Sequence, residues 1–368
     1  MKIAYVLDWD IIAQSSVLNK ICKKISFWEK MGHTVCFMLV SYKTNTIFVP
    51  TSKDIRIFER GELSGLLFSS LKTFVGRNQA FGNLLKELRI FSPDIVYLRP
   101  GIMWYPNVTR IVSSFPTVVE LNSIDEEEVK LYYKGGIRYK IFKYGRNSIL
   151  KKCIGLVCLT QEIAERYNHY GKKTVVISNG VSFVDSSQEQ KSYDSTNIIF
   201  VGTPGQLWQG FDQYIKMATL LPEFKFHLVG PEFNTLNIDN FPNNLTCYGF
   251  LGFNELEKLY QSCTVGVGTL ALFTKSMEEA CPLKVREYVS NQLLLILGYK
   301  DTDFHEEPFS LYIGNHASNV QDSIDKIRNF ILDSDRLREH YKEIDKDRFT
   351  VENKEKERLV FLKNVASN

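Results

Sequence analysis

The 368-residue chain is 44% hydrophobic and 24% charged, a balance typical of globular proteins that excludes a disordered or fibrous chain. It is long enough for two domains of ordinary size. The net charge of +3 conceals an asymmetry, because residues 1–180 contain 26 Lys and Arg against 15 Asp and Glu, whereas residues 181–368 contain 19 against 27. A basic first half predicts an anionic partner, and the sequence lacks the zinc-finger spacing and RNA-binding aromatic signatures that would favour nucleic acid.

The apolar segments and the cysteines bear on location. The N-terminal residues Met1 to Asp8 form a predicted strand rather than a signal peptide, and the longest apolar run, Leu293 to Leu297, is too short to cross a bilayer. The seven cysteines include no C-x-x-C pair and lie mostly in apolar runs, which favours buried, reduced thiols. We therefore expect a cytoplasmic protein.

Predicted strands and helices alternate along the first half of the chain. Apolar strands are predicted at residues 3–7, 34–40, 54–58, 94–98, 117–121, 154–159 and 174–177. Helices are predicted between them, at about residues 14–31, 79–91, 104–114, 126–151 and 161–168. This alternation predicts a doubly wound α/β sheet with parallel strands.

A polar run without strand character, residues 181–196, is the predicted linker. The alternation then resumes, with strands predicted at residues 197–201, 225–229, 244–248, 264–267 and 293–297. We therefore predict two Rossmann-like domains, at residues 1–180 and 197–345, followed by a charged C-terminal helix at residues 346–368. The fold class is α/β, with two doubly wound domains.

The stretch from Glu278 to Tyr288 carries two glutamates eight positions apart, Glu279 and Glu287, with Pro282 between them. Because proline is tolerated in the first turn of a helix but disrupts its interior, we place a helix start near Pro282 and Glu279 in the loop before it. The free N–H groups of a helix start favour an anion such as phosphate. Two glutamates for hydroxyls beside a phosphate site fit a nucleotide sugar, whereas an amphipathic helix with solvated charges is the alternative interpretation.

This stretch resembles the paired-glutamate motif of the retaining glycosyltransferases of family 4, which have the GT-B fold. The resemblance implies that the two Rossmann-like domains face each other across a cleft, the first binding the acceptor and the second the nucleotide sugar. It also implies that Glu279 holds hydroxyls of the donor sugar, as a catalytic residue, and that Glu287 holds the ribose diol. Finally, it implies that the C-terminal helix packs back on the first domain, whereas its high charge favours the alternative of a solvated terminal helix.

A glycine-containing loop, residues 202–212, follows the first predicted strand of the second domain, and its glycines allow a phosphate to approach the backbone closely. In the family this loop supplies an arginine and a lysine to the diphosphate, but here those positions hold Thr203 and Gln209. We therefore expect backbone amides, the Thr203 hydroxyl and Lys284 to hold the phosphates. A surface lysine that extends into solvent is the alternative for Lys284. The predicted donor-binding residues of the loop are Gly202, Thr203, Pro204, Gly205, Trp208 and Gln209.

Phe250 and Leu251 belong to a Tyr-Gly-Phe-Leu-Gly segment that follows another predicted strand. The segment resembles the base-contacting segment of the family, which implies that its backbone groups read a uracil or guanine edge. A plain turn before a helix at Asn254 is the alternative interpretation.

Polar residues also follow the predicted strands of the first domain, where doubly wound sheets bind ligands. The family often has a histidine after the strand that ends here near residue 121. Glu120, Asn122 and Asp125 occupy this neighbourhood, so one of them is predicted to face the anomeric carbon. The family's usual front-face route, in which the leaving phosphate takes the acceptor proton, needs positioning more than a strong nucleophile. The predicted acceptor contacts are Ser15, Ser16 and Arg99.

No metal or other cofactor is expected. The six histidines show no metal-ligand spacing, and we interpret the four Asp-x-Asp matches as chance. These matches are Asp8/Asp10, Asp301/Asp303, Asp333/Asp335 and Asp345/Asp347.

The run from Lys130 to Lys152 mixes eight cations with five aromatic residues. Such a basic aromatic helix suits an anionic membrane surface or a lipid-diphosphate acceptor. The alternative is that its aromatics are core residues and its lysines are merely solvated.

Together these features predict an enzyme, a retaining glycosyltransferase that moves a sugar from a UDP- or GDP-type donor to a glycan or lipid-linked acceptor. Surface polysaccharide or glycoconjugate synthesis is the expected process, in the cytoplasm or peripherally at the inner face of the membrane. One alternative is a nucleotide-sugar epimerase of the same fold. Another is a catalytically silent nucleotide-sugar-binding partner subunit, which the missing loop cations favour.

Overall fold

The computed structural model describes residues 1–10, 16–41, 54–59, 69–183, 196–236 and 241–367. The chain divides into unit 1, Met1–Ile177 with Glu355–Asn368, and unit 2, Ser178–Lys354. Residues 178–180, assigned above to the first domain, group with unit 2, and the chain returns to unit 1 within its last helix. Most of the predicted linker, residues 184–195, lies outside the described residues.

In the described part of unit 1, seven parallel strands form one sheet in the order β3-β2-β1-β4-β5-β6-β7. The strands are β1 (Lys2–Asp8), β2 (Thr34–Ser41), β3 (Ile55–Glu59), β4 (Ile95–Arg99), β5 (Thr117–Leu121), β6 (Gly155–Cys158) and β7 (Lys173–Val176). Their central members are buried on both faces, as the continuous apolar runs of the sequence require. The strand order reverses between β1 and β4, which pair with Tyr5 opposite Tyr97.

The helices of unit 1 connect these strands. They are α1 (Ser16–Lys30), α2 (Ser69–Phe91), α3 (Pro106–Ser114), α4 (Asp125–Tyr133), α5 (Ile137–Lys152) and α6 (Gln161–Tyr167). The single helix predicted at residues 126–151 is wrong, because Lys134 and Gly135 adopt positive φ angles of 46° and 72° and end α4. Glycine reaches this left-handed region without steric cost, so the Gly135-Gly136 pair separates two helices.

One face of the unit 1 sheet is covered by α1 and by α13 (Val351–Ala366). The buried residues that α13 contributes to this core are Leu359, Leu362 and Val365. Two polar contacts tie the same helix to the unit, because Trp28 Nε1 donates to Glu355 over 2.9 Å and Arg358 donates to the Tyr97 hydroxyl over 2.9 Å. Unit 1 is therefore built from two separate stretches of sequence.

In the described part of unit 2, six parallel strands follow the order β10-β9-β8-β11-β13-β15, and β12 and β14 form a separate small pair. The strands are β8 (Asn197–Val201), β9 (Lys225–Val229), β10 (Leu245–Cys247), β11 (Val265–Val267), β12 (Glu279–Ala280), β13 (Leu294–Leu297), β14 (Lys300–Asp301) and β15 (Ser310–Tyr312). The helices are α7 (Phe211–Leu220), α8 (Phe253–Ser262), α9 (Leu283–Ser290), α10 (Asn319–Asp322), α11 (Ile324–Leu332) and α12 (Ser334–Glu339). The order reverses between β8 and β11.

The predicted fold class, two doubly wound α/β domains with parallel sheets, is confirmed. Among the described residues, no helix combines the length and the apolar character that crossing a bilayer would require.

Candidate functional site

The reversal of strand order in unit 2 lies between β8 and β11, where doubly wound sheets bind ligands. Tyr288 of α9 bridges this point, because its hydroxyl accepts from the Val201 N–H over 2.9 Å and donates to the Val267 carbonyl over 3.3 Å. A Cβ atom at Gly266 would lie 2.4 Å from the Tyr288 ring, so only glycine fits there. This bridge was not predicted from the sequence.

The loop after β8 is fixed against the segment after β11. The N–H groups of Leu270 and Ala271 donate to the carbonyls of Gln209 and Trp208 over 3.0 and 3.2 Å. Gly210 adopts a φ of 75°, and a Cβ atom added to it would lie 2.9 Å from the Leu270 Cβ, so the two segments pack closely. The loop tip, from Thr203 to Gly205, is exposed. The two strand-end loops thus form one supported edge with an exposed tip.

Lys284 reaches this edge from the first turn of α9. Its Nζ donates to the Gln209 Oε1 over 2.9 Å and lies 3.8 Å from the centroid of the Phe200 ring. Desolvation lowers the pKa of the Lys284 ammonium well below its ordinary value. A half-buried cation that is held by an amide and a ring gains most from a nearby anion, because the anion restores the stability of its charged form.

A second lysine, Lys275 on the segment after β11, lies at the same edge and was not predicted from the sequence. Lys275 is buried and its Nζ lies 4.3 Å from the centroid of the Trp208 ring. Trp208 itself is buried within the loop after β8. No sequence pattern marks Lys275, because its position depends on the chain doubling back after β11.

The two predicted glutamates lie on different elements. Glu279 belongs to the short strand β12 rather than to a loop, and β12 pairs with β14 so that Glu279 is opposite Lys300. Glu287 lies in α9, whose N-cap is Pro282 as predicted, and its Oε2 accepts from the Tyr260 hydroxyl over 2.8 Å. Both carboxylates are partly exposed.

Buried ion pairs fix the orientation of α9. The Arg286 guanidinium donates to Asp301 and to Asp303, the latter over 2.7 Å, and its Nε donates to the Asn179 carbonyl. Lys354 also contacts Asp303, over 3.2 Å. This Asp-x-Asp match therefore binds an arginine, and Arg286 anchors α9 two residues after Lys284.

The predicted base-contacting segment follows β10. Phe250 is 68% exposed and Leu251 is half-buried. The Gly249 carbonyl accepts from the Gly230 N–H over 2.8 Å, and Gly249 adopts a φ of 63°. The segment is thus tied to the end of β9 and presents an exposed aromatic side chain.

In unit 1, Glu120 lies away from the predicted position at the strand-end edge. It is 2% exposed, and its Oε2 accepts from the Lys24 ammonium over 2.7 Å and from the Tyr97 hydroxyl over 2.6 Å. Burial alone would raise the pKa of the Glu120 carboxyl, but Lys24 and Lys20 outweigh it and lower this pKa well below its ordinary value. Glu120 faces the layer of α1 and α13 because side chains alternate along β5.

Asn122 and Asp125 do lie beyond the end of β5. Asp125 pairs with Arg146 of α5 and accepts from the Tyr167 hydroxyl over 3.0 Å, and Arg146 also donates to the Gly101 carbonyl over 3.4 Å. Among the described residues, the buried Oδ1 of Asn122 has no hydrogen-bond partner. Desolvation raises the pKa of Asp125 in spite of Arg146.

The remaining residues predicted for the acceptor are placed as follows. Arg99 ends β4 and lies 5.5 Å from the centroid of the Trp9 ring. Ser15 lies outside the described residues, and Ser16 begins α1 with its side chain outside them.

The first Asp-x-Asp match lies at the reversal point of the unit 1 sheet. Arg77 of α2 donates to Asp8 and to Asp10, over 2.5 and 2.6 Å. Asp8 is buried, and desolvation raises the pKa of its carboxyl to about 6 although Arg77 lowers it. In two of the four matches both carboxylates therefore bind one arginine, and in a third Asp333 pairs with Arg336. In the described ranges, no group of three or more His, Cys, Asp or Glu side chains is arranged to hold a metal ion.

No protein-family model matches the sequence, and no curated protein matches it either. Solved structures match the fold. Sucrose-phosphate synthase from Thermosynechococcus elongatus has a TM-score of 0.74 at 13% identity, covering 100% of each chain. A glycosyltransferase from Rickettsia africae ESF-5 has a TM-score of 0.67 at 13% identity, covering 100% of this chain and 99% of that one. HepE from Anabaena, in complex with UDP and glucose, has a TM-score of 0.67 at 12% identity, covering 99% and 100%. These likenesses confirm the GT-B fold.

Proposed function

We propose that this chain is a retaining glycosyltransferase of family 4. It transfers a sugar from a UDP- or GDP-type donor to a glycan or lipid-linked acceptor in surface polysaccharide or glycoconjugate synthesis. One observation carries the proposal: the Lys284 ammonium lies 2.9 Å from the Oε1 of Gln209, the position where the family has a loop lysine. A cation from α9 thus replaces the one that the loop lacks.

The donor site is built on the edge of the unit 2 sheet. The N–H groups of Thr203 and Gly205 at the exposed loop tip and the Lys284 ammonium bind the diphosphate. The Gly202 N–H already donates to the Val229 carbonyl over 2.9 Å, and Pro204 has no N–H to donate. Glu279 binds hydroxyls of the sugar and Glu287 binds the ribose diol, with Tyr260 holding its second oxygen. The segment with Phe250 and Leu251 contacts the base. The structural neighbour crystallised with UDP and glucose supports this class of donor.

Transfer by the front-face route requires little from the protein beyond placement and charge. The bond between the anomeric carbon and the phosphate oxygen breaks as the bond to the acceptor oxygen forms on the same face. The acceptor proton passes to the leaving phosphate, whose negative charge Lys284 stabilises. Asn122 and Asp125, which lie beyond the end of β5, are the proposed contacts of the acceptor in unit 1. Glu120 is left out of this role because its carboxylate is buried with Lys24 and Tyr97.

The proposal retains an anionic membrane surface as a partner of residues 130–152 and a cytoplasmic location at the inner face of the membrane. Six of the seven cysteines are buried and all are free thiols, as a reducing compartment maintains them.

A catalytically silent binding subunit is the second candidate, and Thr203 and Gln209 in the loop favour it. Both candidates require that the protein bind a nucleotide or nucleotide sugar. A thermal-shift screen against UDP, GDP and their sugars tests this, because a ligand that binds only the folded state raises the melting temperature. We expect one nucleotide class to raise it. No shift with either class would refute both candidates.

Turnover separates the two candidates. We expect Glu279→Ala to lower sugar transfer by at least about 100-fold while circular dichroism stays unchanged, because the carboxylate positions the reacting sugar. The matched control is Glu306→Ala, which removes a 90% exposed carboxylate of the same unit. Nucleotide binding without any donor breakdown by the wild type would identify the silent subunit.

A further inference from the structure

Helix α5 has two apolar faces. One face is buried in unit 1 and includes Phe142 and Ile149. The other face consists of Ile137, Ile141 and Tyr144, spaced by four and three residues, and these side chains are 71%, 37% and 69% exposed. We call these three residues the outer stripe. Helices at protein surfaces normally carry polar residues on the face opposite to the core, so the outer stripe requires a separate explanation.

The outer stripe continues to the strand-end edge of the unit 1 sheet. Tyr144 packs edge-on against Trp104, with ring centroids 5.7 Å apart. Trp104 also fills the space beside Gly145, where an added Cβ would lie 1.8 Å from its ring. Trp104 belongs to the loop that follows β4, and Ile102 of the same loop is 52% exposed. Apolar surface thus extends from the start of α5 to the loop beside Gly101.

Cations surround the outer stripe. Lys134, Arg138 and Lys140 are exposed on the turn before α5 and on its first two turns. Lys143 pairs with Glu126 and Lys130 pairs with Glu127, whereas Lys134 and Lys140 make no ion pair in the part of the chain that the structure describes. Positive charge beside exposed aliphatic and aromatic residues is the composition of helices that lie on anionic bilayers.

The size of the outer stripe decides between a protein and a bilayer as its occupant. A stable protein interface buries about 800 Å² on each partner, which takes roughly 20 to 30 residues. Three side chains on one helix, with Ile102 beside them, fall far short of that. A bilayer needs only a few inserted side chains when cations add their attraction to anionic headgroups. The observations therefore favour a membrane surface.

The same helix also contributes to the strand-end edge. Arg146 of α5 holds Asp125 and donates to the Gly101 carbonyl. We propose that the outer stripe and its cations seat unit 1 on an anionic bilayer, and that the acceptor is lipid-linked, with its headgroup at this edge. The assignment of a lipid-linked acceptor rests on the proposed transferase function, and it selects the lipid-linked class over a soluble glycan.

Co-sedimentation with phosphatidylglycerol vesicles tests the surface, with phosphatidylcholine vesicles as the uncharged comparison. We expect binding to the former that weakens with salt, and a loss of about tenfold or more in affinity for Ile137→Glu. The matched control is Ile90→Glu, since Ile90 is a 74% exposed isoleucine on another helix of unit 1. Equal binding by the two variants, or no binding by the wild type, would overturn the proposal.

Fluorescence quenching by spin-labelled lipid tests which face is in contact. Trp104 is the tryptophan beside the outer stripe, so we expect vesicle-bound protein to be quenched and Trp104→Phe to lose most of that quenching. Equal quenching in the two proteins would mean that another face binds.

The product of transfer tests the acceptor class. Labelled donor sugar incubated with cell membranes is expected to enter the butanol-extractable lipid fraction, with Ile137→Glu slower and Ile90→Glu unchanged. Label only in water-soluble glycan, at equal rates for the two variants, would refute a lipid-linked acceptor. A wild-type protein that binds vesicles but no nucleotide would instead refute the transferase function.

Discussion

The strand-end edges of the two sheets share one architecture but differ in how their charges are neutralised. At the edge of unit 1, Arg77 is bound by Asp8 and Asp10, and Arg146 is bound by Asp125. At the edge of unit 2, the Lys284 ammonium is held by a neutral amide and an aromatic ring. Unit 2 thus keeps a cation for an anionic ligand, whereas two of the arginines at the edge of unit 1, Arg77 and Arg146, are neutralised by carboxylates.

This comparison also locates the excess positive charge of the first half of the chain. Arg77 and Arg146 at the edge of the unit 1 sheet are paired with carboxylates, whereas Lys134 and Lys140 beside the outer stripe make no ion pair among the described residues. The surface around the outer stripe thus holds part of the unbalanced positive charge. The net charge of the first half of the chain therefore reflects its exposed surface and says little about the charge at the strand-end edge of unit 1.

The largest expected effect comes from breaking a charge pair in unit 1. Asp125→Ala leaves the buried Arg146 without its carboxylate and should lower the free energy of unfolding by about 3 kcal/mol. Urea denaturation followed by circular dichroism measures this loss. Glu127→Ala, which breaks a more exposed pair with Arg166, should cost less than about 1 kcal/mol. Similar losses of unfolding free energy in the two variants would contradict the view that the Asp125–Arg146 pair contributes more to stability than a surface pair.

The corresponding change in unit 2 should spare stability and reduce binding. Lys284→Met removes a desolvated cation, so the melting temperature should stay level or rise. The affinity for UDP or GDP should fall by about 10- to 100-fold, the value of one charge-assisted contact. Isothermal titration measures the affinity, and Lys326→Met, at an exposed lysine of α11, is the control. Unchanged affinity in Lys284→Met would assign Lys284 a packing role.

The smallest expected effect is a pH dependence of donor binding. In the free protein the pKa of Lys284 is lowered, and a bound anion raises it again, so binding takes up a proton. The dissociation constant should therefore rise with pH in the range between the lowered pKa and the ordinary lysine value of about 10.4. The dissociation constant can rise by at most about tenfold per pH unit, because one proton is taken up. Measurements above about pH 7 avoid ionisation of the phosphate itself. If the dissociation constant of Lys284→Met still rose with pH, a group other than Lys284 would be responsible.

The fold could be predicted from the sequence because parallel buried strands read as continuous apolar runs between amphipathic helices. The start of α9 was also predictable, since Pro282 marks it locally. The break between α4 and α5 was missed although Gly135-Gly136 signals it, because the charged and aromatic pattern continues across the pair.

The parts of the site that could not be predicted depend on contacts between distant segments. The burial of Glu120 depends on which side of β5 faces α1 and α13, and that choice is set by the whole sheet. The bridge formed by Tyr288 requires Gly266 and two strand ends, and the position of Lys275 requires the chain to double back after β11. The arginine partners of two Asp-x-Asp matches likewise come from other elements.

The return of the chain to unit 1 at Glu355 has a consequence for synthesis. The strands of unit 1 are synthesised before unit 2, but Leu359, Leu362 and Val365, which complete its core, are synthesised after unit 2. Trp28 and Tyr97 can therefore contact Glu355 and Arg358 only after unit 2 has been synthesised. A nascent chain that stalls after residue 354 would carry every described strand of both sheets and still lack the residues of α13 that cover one face of the first sheet together with α1.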